Sequence, residues 1–422
     1  MLRSIELFVY FAKVSEKQRK FVKSVKSVVK LYFSKAVKSL LMTGFVMLSI
    51  QTIYAQVKTG ADQTHLYFPH LKHKSIAVVA NSASVTNRVN IVDTLVASGF
   101  EVTKIFCPEH GFRNFVGAGQ TIKNSVDSAT GVPVISLYGK KKRPEKSDFE
   151  DVDLILFDLQ DVGVRFFTYI STLTYVMEAC AENNTPLLVL DRPNPNGFYI
   201  DGPVLDSTQR TFVGLHPVPV VYGMTIGEYA RMVNEEGWLK NGVICELSII
   251  PLENYTHSTL YELPVRPSPN LPNMNAVYLY PSLCLFEGSV MSVGRGTEFP
   301  FEVFGHPAMK GFSFSFVPRK IKDYNDNPLF KDQECRGVDL RDFYSSHPRM
   351  KGRLNLAWLM MGYKDLGSKP DFFNDFFSKL AGNSELQKQI MEDLPESEIR
   401  KTWTENINKF KQIRNKYLLY GE

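Results

Sequence analysis

Beyond residue 64 the apolar positions fall into short continuous runs separated by stretches with helical spacing. Ser75-Ile-Ala-Val-Val-Ala80 is a β-rich apolar run that stops at Asn81-Ser82. A helical pattern covers residues 89–98 and is ended by Gly99, and a second apolar run occupies Glu101–Cys107. Strand, helix and strand in that order predict a βαβ unit and hence parallel strands. Residues 133–137 predict a further short strand, residues 152–157 a buried central one, residues 166–183 a long helix, and Leu187–Leu190 the next strand. The repeated alternation argues for an α/β fold with a doubly wound, mostly parallel sheet. After Gly223 the pattern changes to a helix near 225–234, a strand near 246–251 and a proline-rich passage at 264–272. We place the boundary between a first lobe, residues 64–255, and a smaller α/β lobe, residues 256–422, next to this passage. Aromatic-rich helices are expected at 355–363 and 372–380, and a basic helix at 396–417. In the last, Trp403, Ile407, Phe410, Ile413 and Tyr417 recur every three or four residues, a stripe that seals a core rather than binds a partner.

Composition fits this picture, since 422 residues with 44% hydrophobic content can fill two packed lobes. The net charge of +5 at first suggests a basic surface. Residues 1–39, however, hold ten Lys or Arg against Glu6 and Glu16, so the remainder is slightly acidic and no nucleic-acid partner is indicated. The Lys-rich stretch ends at Lys38, an uncharged run follows from Leu40 to Ile53, and Ala55 precedes Gln56. Residues 1–55 therefore read as a signal peptide or N-terminal anchor of an exported, periplasmic or cell-envelope protein. The apolar run is shorter than the roughly 20 residues that span a membrane. Membrane contact is expected only through this segment, if it is not cleaved. The five cysteines are scattered and show no C-x-x-C spacing, which argues for buried thiols over zinc or a disulfide scaffold, although one pair could be oxidised after export.

In open parallel sheets ligands bind at the carboxyl ends of strands, where loops and helix N-termini converge. Asn81 follows the first predicted strand, Glu109 and His110 the second, Asp158, Gln160, Asp161 and Arg165 the central one, and Asp191, Arg192 and Asn194 the last. Asp191-Arg192-Pro193-Asn194-Pro195 also has the composition of a plain turn. Glycosidic cleavage requires a proton donor and a second group that stabilises positive charge, attacks the anomeric carbon or activates water. Glu109 suits the donor role, with Phe106 and Phe112 as neighbours able to raise its pKa, and His110 is placed to orient it or share the proton. Asp161 and Glu287 are both candidates for the second carboxylate. Arg165, Arg192 and Arg295 are suited to pair with a substrate carboxylate, and each would serve equally as a structural ion pair. Ser292-Val-Gly-Arg295-Gly-Thr297 is a glycine-flanked turn able to bring Arg295 to a ligand oxygen. Val116-Gly-Ala-Gly-Gln120 lacks the third glycine of a dinucleotide site, no phosphate-binding loop or nucleophile elbow occurs, and His70-Leu-Lys-His73 reads as a solvated loop. No cofactor and no metal are indicated.

Six ordered motifs make a family resemblance. Pro108-Glu-His-Gly111, Asp158-Leu-Gln-Asp-Val-Gly-Val-Arg165-Phe-Phe-Thr-Tyr169, Leu190-Asp-Arg-Pro-Asn-Pro195, Asp201-Gly-Pro-Val-Leu205, Arg266-Pro-Ser-Pro-Asn270 and Ser292-Val-Gly-Arg-Gly-Thr297 together resemble the NamZ-type exo-β-N-acetylmuramidases. The likeness runs from about residue 64 to Tyr417-Leu-Leu-Tyr420. It implies a Rossmann-like lobe joined to a smaller α/β lobe, with the site in the cleft between them. It further implies release of N-acetylmuramic acid from the non-reducing ends of peptidoglycan fragments, without metal or nucleotide. Carried onto this chain, the catalytic carboxylate falls on Glu109, and Asn81, Tyr169, Asp191, Asn194, Asn270, Glu287 and the arginines would surround the sugar. The lactyl carboxylate of that sugar would give an arginine its use. The alternatives are a lobe that binds muropeptides without cutting them, and another hydrolase on the same scaffold. The latter requires a strong nucleophile beside His110, and none is recognisable.

Overall fold

Branched apolar residues dominate the runs that become strands, because such side chains pack well on a pleated surface buried on both faces. The computed structural model describes residues 56–113, 117, 122–322, 325–347 and 352–422, with Lys23, Ser24 and Ser27. The rest of the basic leader and apolar run, and most of the 116–120 glycine turn, lie outside the described residues. Residues 57–422 form one unit.

Within it are β1 (Ser75–Ala80), β2 (Glu101–Cys107), β3 (Ser125–Val126), β4 (Pro133–Ser136), β5 (Leu154–Asp158), β6 (Leu187–Leu190) and β7 (Leu247–Ile250). Among the described residues they make a seven-stranded sheet in the order β3-β4-β2-β1-β5-β6-β7. Every pairing is parallel except that of β3 with β4. Leaving out the antiparallel edge, chain order across the sheet is 3-2-1-4-5-6, the Rossmann order, and it reverses between β1 and β5. Loops that leave the sheet there diverge and open a crevice at the carboxyl ends.

Alternate residues of β1 point into different cores. Ile76, Val78 and Ala80 pack with Tyr67 and Leu71 of α1 (Thr64–Leu71) and with Ile91, Val92 and Leu95 of α2 (Ile91–Ala97). Ala77 and Val79 belong to the other core, with Leu173, Val176 and Met177 of α3 (Tyr169–Asn183) and Tyr229, Met232 and Val233 of α4 (Ile226–Glu235). Both faces are therefore covered, as the doubly wound reading expects. Asn90 caps α2 by accepting from the Val92 N–H, and Thr225 and Glu228 form a capping box on α4, which fixes both starts. Helix α3 begins three residues later than its periodicity suggests. Phe167 N–H bonds back to Val164 O in a turn, so residues 166–168 stay outside the helix and reach the site.

The smaller part holds α5 (Met274–Leu283) and an antiparallel sheet of β8 (Val303–His306), β9 (Phe314–Phe316) and β10 (Cys335–Asp339), with β10 central. The helix expected over 372–380 is shorter, because Phe373 is extended and pairs with Ser289, so α6 spans only Phe377–Ala381. The helix expected over 396–417 is two, α7 (Glu396–Lys401) and α8 (Thr404–Arg414), broken where the Thr402 hydroxyl bonds Ile399 O and Trp403 turns into the core. The stripe seals the core as expected, with Trp403, Phe410 and Tyr417 buried and Ile407 and Ile413 packed against them. All five cysteines are buried free thiols.

The tail returns to the first sheet. Glu228 accepts from the Leu419 and Tyr420 N–H groups and lies 2.9 Å from His257 Nε2, while the Tyr420 hydroxyl donates to Asp191 Oδ2 at 2.6 Å.

A second buried histidine gives a pH prediction. His216 stacks on Trp238 at 5.6 Å, with Nε2 3.0 Å from Thr174 Oγ1, and burial pushes its pKa from 6.5 to about 3. Its stabilising contribution is thus full above pH 6.5 and is lost as pH falls from 6.5 toward 3, up to roughly 5 kcal/mol across that window. Asp161 and Asp191, which burial pushes up to about 6, act oppositely, because the folded state gains as they protonate below that pH. The change in urea midpoint from pH 7 to pH 4 should therefore be more favourable for His216→Gln than for the parent, because the variant keeps the gain from the aspartates without the loss from the imidazole. Parallel profiles would refute this account.

Candidate active site

Strand β2 runs out at Cys107, and Pro108 starts a turn closed by the Gly111 N–H to Pro108 O bond at 3.1 Å. His110 and Gly111 both have positive φ, 74° and 85°. A left-handed histidine costs on the order of 1 kcal/mol, and it persists here because the turn holds Glu109 and His110 at the mouth of the crevice. Glu109 Oε2 accepts from the Thr168 hydroxyl at 3.0 Å. Thr168 is the N-cap of α3, yet its side chain makes no capping bond and is committed to Glu109 instead. The Tyr169 hydroxyl accepts from Asn81 Nδ2 at 2.8 Å and donates toward Pro267 O and Glu109 O at 3.3 and 3.5 Å. Burial and the nearby Glu109 charge push that hydroxyl well above the usual tyrosine range, so it stays protonated. His110 Nε2 lies 3.3 Å from Ser268 Oγ, which also accepts the Asn270 N–H. The Arg266–Asn270 passage is thereby tied to the Glu-His turn.

These groups line a cleft of about 770 Å³, a size that suits a small-molecule ligand. Glu109, His110, Thr168, Tyr169, Ser268, Asn270, Glu287 and Arg295 all contribute. Phe167, Tyr280 and Phe301 add aromatic surface, with Tyr280 edge-on to both of the others. Glu287 Oε1 accepts from Arg295 Nε, and the guanidinium lies 5.0 Å from the centre of the Phe301 ring. Phe106 and Phe112, expected beside Glu109, pack instead into the two cores and do not line the cleft.

Five of the expected residues turn inward, and Asn81 stands behind Tyr169. Asp161 is buried, with Oδ2 accepting the Gly163 N–H and the Tyr222 hydroxyl, and it does not line the cleft. Arg192 forms a buried pair with Asp158 through Nε at 2.5 Å and Nη2 at 2.8 Å, and also donates to Val85 O. Asp191 accepts from the Arg192 and Gly227 N–H groups and from the Thr225 and Tyr420 hydroxyls, which pins the start of α4. Asn194 bonds Met224 O and the Asn196 N–H, the plain turn chemistry weighed for this segment. Arg165 is fully buried and donates to four backbone carbonyls, Pro203, Val218, Leu380 and Ala381, at 2.8 to 2.9 Å. Burial lowers its pKa to about 9. Neither Arg165 nor Arg192 has a fork left for a substrate carboxylate.

Arg165 has another use. By gripping Leu380 and Ala381 it holds α6, whose Lys379 lines the cleft. A Cβ at Gly382, where φ is 84°, would come within 2.4 Å of the guanidinium, so only glycine ends the helix against it. Sequence reasoning missed Thr168 and Ser268, although both sit inside quoted motifs. It also missed Lys379 and Lys142, a second cleft lysine, which carry no signal because one lies on a helix and the other in the run Lys140-Lys-Lys-Arg143.

Comparison with known proteins extends over almost all of the described chain. Residues 76–275 match the family model of the N-terminal domain of the exo-beta-N-acetylmuramidase NamZ, and residues 278–420 match that of its C-terminal domain. The peptidoglycan beta-N-acetylmuramidase NamZ of Bacillus subtilis (strain 168) is 35% identical over 386 residues, covering 86% of this chain and 92% of that protein. A crystal structure of a DUF1343 family protein from Bacteroides fragilis superposes with a TM-score of 0.81 at 44% identity, covering 87% of this chain and 100% of its own. A second DUF1343 structure from the same organism gives 0.73 at 27% identity, covering 86% and 99%.

Proposed function

The chain belongs to the NamZ family of exo-β-N-acetylmuramidases, and on that premise we propose that Glu109 is the proton donor with which it removes N-acetylmuramic acid from the non-reducing ends of peptidoglycan fragments. The protein is a glycosidase acting on peptidoglycan-derived saccharides. The observation that carries the role of Glu109 is its carboxyl group, oriented by Thr168 in a cleft that a second carboxylate, Glu287, also lines.

As the bond from the anomeric carbon to the leaving oxygen breaks, Glu109 gives that oxygen its proton. Positive charge develops on the sugar ring, and Glu287, steadied by Arg295, is the negative group that answers it. Water then adds at the anomeric carbon and loses a proton to a carboxylate, so the acid is regenerated and the sugar is released. Tyr280, Phe301 and Phe167 offer apolar surface to the faces of the rings. Incubation with a MurNAc-GlcNAc disaccharide should release free N-acetylmuramic acid, whereas tight binding without release would favour a non-catalytic muropeptide receptor.

The enzyme acts outside the cytoplasmic membrane in this reading, supported by the Lys-rich stretch and the uncharged run at residues 40–55. N-terminal sequencing of the cell-envelope protein should find a start near residue 56 if the segment is cleaved, or an intact leader in the membrane fraction if it is an anchor. Recovery from the cytoplasm would sink the idea.

A further inference from the structure

Among the described residues, the Lys and Arg side chains that line the cleft are Lys142, Arg295 and Lys379. Arg295 has its charge met by Glu287. The two lysines do not, since Lys379 Nζ donates to the neutral Gln209 Oε1 at 2.9 Å and Lys142 Nζ lies 4.7 Å from the centre of the Phe212 ring. The contrast within one run is informative: Lys141 pairs with Asp148 at 2.5 Å and Arg143 with Glu182 at 2.5 Å, while Lys142 between them is turned to the cleft. Both lysines are half-buried, and both rest on one short segment, at Gln209 and Phe212. That segment is braced by stacking of Phe212 on Tyr175 of α3 at 5.8 Å, and Lys379 is braced by the hold of Arg165 on its helix. Two half-buried ammonium groups that rest on one segment, neither paired with a carboxylate among the described residues, favour an anionic ligand group beside them.

We propose that Lys142 and Lys379 form an anionic subsite that binds the lactyl carboxylate of N-acetylmuramic acid, the group that N-acetylglucosamine lacks. The inference rests on the muramidase reading and corrects its expected means, because the arginines that would have done this work are spoken for. It also sets a consequence for substrates, since amidation of the lactyl carboxylate by a stem peptide removes the charge the lysines read.

The test is calorimetric binding of free N-acetylmuramic acid, N-acetylglucosamine and N-acetylmuramoyl dipeptide to the whole enzyme and to Lys142→Gln, Lys379→Gln and Lys379→Arg. The parent should prefer N-acetylmuramic acid over N-acetylglucosamine, and each Gln variant should reduce that preference by about tenfold, the size expected for one charge-assisted bond. Lys379→Arg should keep most of it, and all variants should retain the parental unfolding midpoint. An unchanged preference, or equal losses for both sugars, overturns the subsite. Lysine-dependent binding of the dipeptide alone overturns it in favour of a peptide carboxylate. Hydrolysis of the disaccharide with an unmoved preference keeps the muramidase reading and rejects the subsite, and a lysine-dependent preference without hydrolysis does the reverse.

Discussion

Glu109→Gln should lower kcat for release of N-acetylmuramic acid by roughly 10²- to 10⁴-fold, the usual scale of general acid catalysis, while KM changes little. The amide has the shape of the carboxyl group, and its oxygen can still accept from Thr168 Oγ1, which bonds Glu109 at 3.0 Å. What it lacks is a transferable proton. A side chain that only filled space or oriented the sugar would show its loss in KM, so the two kinetic constants separate the roles. Steady-state assays on the disaccharide make the comparison, and a fall in kcat below about tenfold would assign the acid to another group.

At neutral pH, Arg165→Met is expected to have the largest effect on stability. The change leaves the carbonyls of Pro203, Val218, Leu380 and Ala381 without their donors in a fully buried site. An orphaned buried acceptor costs about 1–3 kcal/mol. Removing the guanidinium also relieves its own desolvation, seen in a pKa lowered to about 9, so the net loss is on the order of 3 kcal/mol rather than the full sum. Urea unfolding measures it, and an unchanged midpoint would mean that water replaces the lost donors. Lysine at this position would recover little, because an ammonium group cannot present a planar fork to four oxygens. The functional signature is equally specific. A substrate-binding arginine would lose muramic substrates with the unfolding midpoint unchanged, whereas a positioning residue behind α6 should lose stability together with the part of the muramic preference that Lys379 supplies. The double variant Arg165→Met with Lys379→Gln should show no further loss of preference than Lys379→Gln alone.

The strands, their parallel order and the Glu-His turn were legible because continuous apolar runs and strand-end polar residues are local features. Glu109, His110, Tyr169, Asn270, Glu287 and Arg295 do come together at one cleft. Asp161, Arg165, Asp191, Arg192 and Asn194 share the same strand-end position and yet face inward. A charged residue just beyond a strand has the same local pattern whether it meets a ligand or a buried partner, and only tertiary contacts such as Asp158 with Arg192 separate the two. Lys142 was hidden for the opposite reason. In sequence it belongs to a solvated basic run, and only the ion pairs of Lys141 and Arg143 reveal that it alone is turned to the cleft.

The bond between Tyr420 and Asp191 joins residues 229 positions apart, and Glu228 holds the neighbouring tail backbone across a similar span. The sheet is complete by Ile250, yet the carboxylates of Asp191 and Glu228 obtain part of their hydrogen bonding only from residues 419 and 420. During synthesis that share of their bonding can form only when nearly all of the chain has emerged. The two halves matched by separate family models thus share hydrogen bonds that neither holds alone, and a fragment cut between residues 275 and 278 would keep both acidic side chains but leave the tail's share of their bonding on the other piece.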